Sequence, residues 1–251
     1  GRGTFAARSS MLGGTALLKA KDAIIDRAKD MAAIVLEAAK DTIDFEHGLL
    51  KVRDTNRSLP LVEAAKLFYL PAGPANMLGI GLTGAGTSAG KPGAAPNYPN
   101  GCMVCEVEVN PETGALRIDR FIAFDDVGRI LNETICEGQI HGGVAQGLGQ
   151  ALFEEVTYDD FGQLTSGSFM DYCVPRAEHI PQIESELWEV ACKTNPLGVK
   201  GIGESGAIGA PAVIVNAILD AVRPLGVRSL DMPVTQSRLW SALRNAEMEK
   251  N

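Results

Sequence analysis

The stretch with the clearest chemical content is Gly201-Ile202-Gly203-Glu204-Ser205-Gly206, where a single carboxylate sits among glycines directly ahead of a long apolar run. Glycine permits unusual dihedrals and lets a ligand touch the backbone. Glu204 therefore reads either as a capping carboxylate at a helix start or as a general base in a glycine-lined, largely apolar loop. The local residues leave both readings open. The spacing also fits the dinucleotide pattern G-x-G-x-x-G, but that turn needs a buried strand running into its first glycine. Here Lys193 to Lys200 reads as a loop, with Asn195-Pro196 and Gly198 in it, so a Rossmann turn is rejected. A faint phosphate loop at Gly86 to Lys91 fails as well, because Ala85 and Pro92 occupy positions that require Gly and Ser or Thr.

A second stretch, Gly142-Gly143-Val144-Ala145-Gln146-Gly147-Leu148-Gly149, places Gln146, a neutral donor and acceptor, on a helix stripped of bulk. Tight helix packing through glycine faces is the reading these residues favour when taken by themselves. Cys102 and Cys105 make one C-x-x-C, but residues three apart on a strand face opposite sides, and no second pair exists. Zinc and an iron-sulfur cluster on this chain are excluded on that ground. His47, His141 and His179 are scattered outside any metal or triad spacing and read as surface or packing residues.

The elements that must carry these residues follow from periodicity. Leu17, Leu18, Ile24, Ile25, Met31, Ile34, Val35 and Leu36 recur at three and four, which predicts a long helix from about Gly14 to Lys40. Residues 43 to 54 predict a small hairpin turning at Glu46-His47-Gly48, and Pro60 opens a short helix through Phe68. Residues 71–100, rich in Gly and Pro with almost no charge, predict a long irregular loop, and such loops are usually functional or packed on a partner. Alternation around Val104 to Val109 and Leu116 to Phe124, with the turn Pro111-Glu112-Thr113-Gly114 between them, predicts a hairpin. A helix over about 132–155, a strand over about 184–192, a glycine loop over 195–204, a helix over Ser205 to Val222 and an amphipathic helix from Thr235 complete the reading.

The chain has 251 residues, 22% of them charged and 45% hydrophobic, which is a globular composition. A net charge of -8 without basic clusters argues against nucleic acid. Ser205 to Leu219, interrupted by Pro211 and Asn216, is read as a buried helix too short for a membrane span. Five cysteines without regular spacing suit a reducing cytoplasm.

Three motifs together carry a resemblance: Gly3-Thr4-Phe5-Ala6-Ala7-Arg8-Ser9-Ser10, then Gln139 through Glu155, then Gly198-Val199-Lys200-Gly201-Ile202-Gly203-Glu204-Ser205-Gly206. In this order they resemble the molybdenum-binding large subunit of the xanthine dehydrogenase, aldehyde oxidase and carbon monoxide dehydrogenase family. Ser168-Phe169-Met170-Asp171-Tyr172 and the tail from Met232 to Trp240 look like its bacterial members. The resemblance implies an α+β fold of mixed helices and short sheets, with residues 1–251 forming the C-terminal part of the molybdopterin-binding domain. It implies that Glu204 is the general base, that Gln146 hydrogen-bonds the metal's oxo group, and that Thr4, Arg8, Ser9 and Ser10, with Lys200, Gly201, Ile202 and Gly203, hold the pterin, chiefly through backbone groups.

The implied cofactor is molybdopterin with molybdenum, in its cytosine dinucleotide form, and the implied reaction is oxidation of an aldehyde, N-heterocycle or carbon monoxide with water as oxygen source. FAD and 2Fe-2S would sit on partner domains or subunits, and the family's upstream glycine-phenylalanine segment on a preceding segment or separate chain. The alternative is a non-catalytic structural or interaction module of such a complex, against which intact Glu204 and Gln146 count. The chain is also expected to be incomplete without its partner.

Overall fold

The computed structural model describes residue 3 and residues 5–70, 73–89 and 97–249. Thr4 and part of the loop at 71–100 lie outside the described residues. The chain divides into two compact units, Ser9–Ala94 and the larger Gly1–Arg8 with Ala95–Asn251.

The smaller unit is built on α1 (Ser9–Val35). This helix starts five residues earlier and ends five residues sooner than its apolar period suggests. Glu37 turns left-handed at φ 48°, and the amide of Ala38 reaches back to Ala33 O, at 3.1 Å, which closes the helix end. β1 (Ile43–Glu46) and β2 (Leu49–Val52) form the expected hairpin. His47 (φ 50°) and Gly48 (φ 80°) make its two-residue turn, whose positive dihedrals match strand twist. β3 (Ser58–Pro60) extends this sheet, and α2 (Leu61–Leu67) starts directly after Pro60. Met31, Ile43, Leu50 and Phe68 are fully buried between these elements. Within the predicted loop, α3 (Ala75–Leu78) makes one turn, and residues 84–87 lie along α1, where Lys19 Nζ donates to Thr87 O at 2.9 Å. Glycine at 84 and 86 is thus a packing requirement against the α1 backbone.

In the larger unit β4 (Asn100–Val109) and β5 (Leu116–Asp126) form the predicted antiparallel hairpin. Next come α4 (Glu133–Leu152) and β6 (Ile183–Trp188), and β6 pairs parallel to β5, giving the order β4-β5-β6. α5 (Ser205–Val222) and α6 (Gln236–Met248), capped by Thr235, finish the chain. Phe121, Ile140, Val144, Leu148, Ile214, Ile218 and Leu239 form one buried cluster across sheet and helices.

α5 corrects one expectation. Pro211 does not interrupt it, and Ser205–Leu225 is long and apolar enough to cross a membrane by length and composition, with a mean hydropathy of 1.6. Its buried face, Ala210, Ile214, Ile218 and Val222, belongs to the core cluster, as in a core helix of a folded domain.

Candidate functional site

α4 and α5 approach each other through glycine. A Cβ on Gly143 would stand 2.8 Å from the Cα of Gly206, and one on Gly147 would stand 2.7 Å from the Cβ of Ala210. Each helical glycine costs up to about 1 kcal/mol relative to Ala, and this close contact is what offsets it. Gly138 and Gly142 differ, for an added Cβ would meet nothing within 4 Å. With Gln146 they follow one another at intervals of four along an exposed face of α4. The two explanations of the glycine run therefore divide by residue: Gly143 and Gly147 serve packing, while Gly138 and Gly142 leave an open surface beside Gln146.

The 198–204 loop is held from several sides. Asn195 clamps Val199 twice, donating from Nδ2 to its O at 2.9 Å and accepting its N–H at Oδ1 at 3.2 Å. Gly198 O accepts from the amides of Arg129 (2.8 Å) and Cys192 (2.9 Å), and Lys200 N donates to Val127 O at 3.0 Å. Lys200 Nζ is ion-paired with Asp126, the two side chains being 11% and 14% exposed. Asp126 Oδ1 also accepts the N–H of Gly128 (2.9 Å) and of Val190 (3.1 Å). Burial disfavours the Asp126 carboxylate, but Lys200 and these two amides outweigh it and hold its carboxyl below the ordinary range. Gln139 Nε2 donates to Gly203 O at 2.8 Å, tying α4 to the loop.

Beyond Lys200 the backbone becomes free. The N–H groups of Gly201, Ile202, Gly203 and Glu204 donate to no acceptor among the described residues, and they run straight into the start of α5. Glu204 is exposed at the N-cap position, and its side chain makes no capping hydrogen bond. The capping role weighed from the sequence is absent, and the carboxylate is open to a ligand. Gly201 packs on Ala7, so the N-terminal segment lies against the loop. Ala6 (φ 51°) and Ala7 (φ 48°) are both left-handed, a conformation that costs L-residues about 1–2 kcal/mol each.

Of the residues singled out in the sequence, the structure brings together Arg8, Lys200, Gly201, Ile202, Gly203 and Glu204, and Gln139 links them to the helix bearing Gln146. The side chains of Arg8 and Lys200 are already engaged. Arg8 stacks 3.7 Å over the Phe5 ring and donates to Gly3 O at 3.0 Å, while Lys200 is taken by Asp126. Their amides are engaged as well, Lys200 N with Val127 O and Arg8 N with Phe5 O at 3.4 Å, so each offers its carbonyl alone. Ser9 and Ser10 open α1 in the smaller unit. The histidines keep local roles: His141 Nε2 contacts Ser185 Oγ at 3.1 Å, and His179 stacks on Phe153. Cys102 is exposed and Cys105 half-buried, and among the described residues no His, Cys, Asp and Glu group could hold a metal ion.

Two residues escaped the sequence reading. Asp126 carries no motif, and only its place at the end of β5 gives it three donors. Asp125 beside it is 3% exposed, and burial pushes its carboxyl upward. Asp125 and Ser205 line a cavity of about 360 Å³ between α5 and the ends of β4 and β5. Asp125 Oδ2 and Ser205 Oγ are buried there without a hydrogen-bond partner among the described residues.

The sequence pattern of the molybdopterin cofactor-binding domain matches residues 1–181. The chain is 36% identical over 242 residues to the 6-hydroxypseudooxynicotine dehydrogenase complex subunit gamma of Paenarthrobacter nicotinovorans, covering 96% of this chain and 30% of that protein. It is 33% identical over 248 residues to the carbon monoxide dehydrogenase large chain of Hydrogenophaga pseudoflava, covering 97% and 30%. Reconstituted carbon monoxide dehydrogenase from Oligotropha carboxidovorans superposes with a TM-score of 0.88 at 30% identity, over 99% of this chain and 30% of that one. The chain thus spans about a third of the length of the relatives it matches, and the expected α+β arrangement of helices and small sheets is the one they share.

Proposed function

Because this chain belongs to the molybdopterin cofactor-binding domain family, we propose that it forms the C-terminal, cofactor-holding part of a molybdenum hydroxylase or dehydrogenase large subunit. Its substrate class is a small carbon compound, an aldehyde, N-heterocycle or carbon monoxide, with water as the source of oxygen. The observation that carries this reading is the run of four backbone donors at Gly201–Glu204 that have no acceptor among the described residues, ending in an exposed carboxylate that makes no capping bond and flanked by left-handed Ala6-Ala7.

These residues suit a pterin dinucleotide. Bare N–H groups at a helix start favour phosphate and ring-edge acceptors, and they do so in a chain of net charge -8. When bound, molybdenum and pterin supply the redox chemistry. The chain's own residues do the rest. Gly201, Ile202 and Gly203 hold the pterin by their amides, Arg8 and Lys200 contribute carbonyls, and we extend the cofactor-holding role to Thr4, Ser9 and Ser10. Gln146 orients by donating a hydrogen bond from its amide. Glu204 takes the proton from the water-derived nucleophile at a carboxylate oxygen.

The cofactor is the cytosine dinucleotide form, and electrons leave through FAD and 2Fe-2S groups on partner domains or subunits. The remainder of the molybdenum site comes from another segment or chain. All five cysteines are free, which suits a cytoplasmic enzyme.

The test is Glu204→Gln in the native complex containing this chain, which keeps shape and removes the proton acceptor. Turnover should fall by ~10² to 10⁴ while molybdenum content stays near normal. A fully loaded Gln variant with near wild-type turnover would remove Glu204 from the base role.

A further inference from the structure

The 198–204 loop is anchored unevenly. Its first half is tied by the Asn195 clamp, by the amides of Arg129 and Cys192, and by pairing of Val199 with Gly128. Its second half, where the free amides and Glu204 lie, is tied not to the sheet but to the helices and the N-terminal segment: by the Gln139 hydrogen bond to Gly203, the contact of Gly201 with Ala7, the packing of Ile202 on the core, and the bonds from Ser205 N to Ile202 O and from the Ala207 and Ile208 amides to Glu204 O. Lys200 stands at the junction. Its ammonium is buried against Asp126, which sits at the end of the central strand β5, opposite Asn100 of β4 and Trp188 of β6. The same carboxylate binds the amides of Gly128 and Val190. Three chain segments therefore converge on one side chain that is held on both flanks by the sheet.

We infer that Asp126 is a positioning residue: through Lys200 it fixes where the Gly201–Gly203 amides and Glu204 stand relative to the sheet. Glu204 is four residues beyond the ion pair, and the glycine-rich backbone between them links the sheet to the start of α5, so a shift of Lys200 is passed toward Glu204. Without the carboxylate, an ammonium in this nearly enclosed place has no counter-charge and must turn outward to water, carrying the Lys200 backbone with it. The catalytic part of the inference rests on the reading of Glu204 as base. The loop-anchoring part stands on geometry alone.

The experiment uses Asp126→Asn in the native complex and has two readouts. Trypsin cleavage at Lys200-Gly201, blocked while Lys200 is buried, should become at least ~10-fold faster as the ammonium turns out to solvent. In metal-loaded enzyme kcat should fall at least ~10-fold with KM little changed, because a displaced base removes an interaction made only in the transition state. If Asp126→Asn does not assemble, Lys200→Met serves. It keeps the apolar stem, leaves Asp126 its two amide partners, and should lower kcat in the same way while speeding exchange of the Ser205 amide, whose bond to Ile202 O closes the loop at 3.1 Å. Wild-type trypsin resistance in Asp126→Asn, or wild-type exchange at Ser205 in Lys200→Met, overturns the anchor. Faster cleavage with unchanged kcat and KM in loaded enzyme reduces the pair to packing and overturns the positioning role. A Glu204→Gln control with wild-type turnover indicts the base assignment instead, and the cleavage assay still decides whether Asp126 holds the loop.

Discussion

At the scale of single residues, Asp125 and Asp126 show how neighbours of one type diverge by surroundings. Asp126 has Lys200 and two amides. Asp125 is buried with an unpartnered Oδ2, and desolvation raises its pKa above 3.8 in the folded chain. The folded state thus prefers protonated Asp125, so the associated stability is complete below the unfolded value and is lost as pH rises through the folded one. Asp125→Asn should remove that loss. The melting temperature of the variant relative to wild type should climb as pH rises above the ordinary aspartate range, as scanning calorimetry would show, and a difference independent of pH would refute it. Gln146 offers a second test at this scale. It is exposed on α4 with no partner among the described residues, so Gln146→Ala should leave folding intact yet slow turnover by an amount worth ~1–3 kcal/mol, the value of an oriented hydrogen bond in the bound site. Unchanged kinetics with unchanged molybdenum spectra would return Gln146 to a surface role.

At the scale of elements, the α4–α5 contact makes a paired prediction. Gly143→Ala forces a Cβ to within 2.8 Å of Gly206 backbone, and two helices cannot both yield there, so it should cost ~1–3 kcal/mol. Gly142→Ala, one residue away, meets nothing and should gain up to ~1 kcal/mol from helix propensity. Denaturant melts of both variants check the contrast, and equal effects would mean the glycines are not divided between packing and open surface. Much of this architecture is legible in the sequence because hydrophobic periodicity is local: α5 matches its expected bounds, and the β4–β5 hairpin is signalled by alternation around Pro111 to Gly114. What is not legible is non-local or conformational. Nothing in Ile183 to Trp188 announces a parallel partner some 60 residues earlier. Pro211 resembles a helix breaker, yet α5 runs through it, its ring facing Gly147 of α4. The glycine run at 138–149 presents one composition to the reader but two faces in space. Asp126 and Lys200 are 74 residues apart, and only the fold makes them a pair.

At the scale of the whole molecule, the larger unit carries apolar side chains that the described residues leave uncovered. Phe161, Phe169 and Met170 are 95%, 87% and 92% exposed, all in the segment between α4 and β6. Three large apolar side chains exposed to this degree within ten residues of sequence exceed the scattered exposure ordinary for a monomer, and we read the segment as an interaction surface. The candidate site is open in the same sense, since Glu204 and Gln146 are both exposed among the described residues. Relatives are about three times longer than this chain, and we assign the missing cover to the remaining part of such a subunit. The 251-residue chain expressed alone should therefore self-associate and carry no molybdenum, and Phe161→Ser with Phe169→Ser should raise its solubility. Light scattering and elemental analysis on the purified chain would check both. Co-expression with a complementary molybdenum-domain chain should suppress self-association and restore metal content. A stable monomer with stoichiometric molybdopterin and turnover would show that the site is already closed by these residues, and the exposure of Glu204 would then need a different cause.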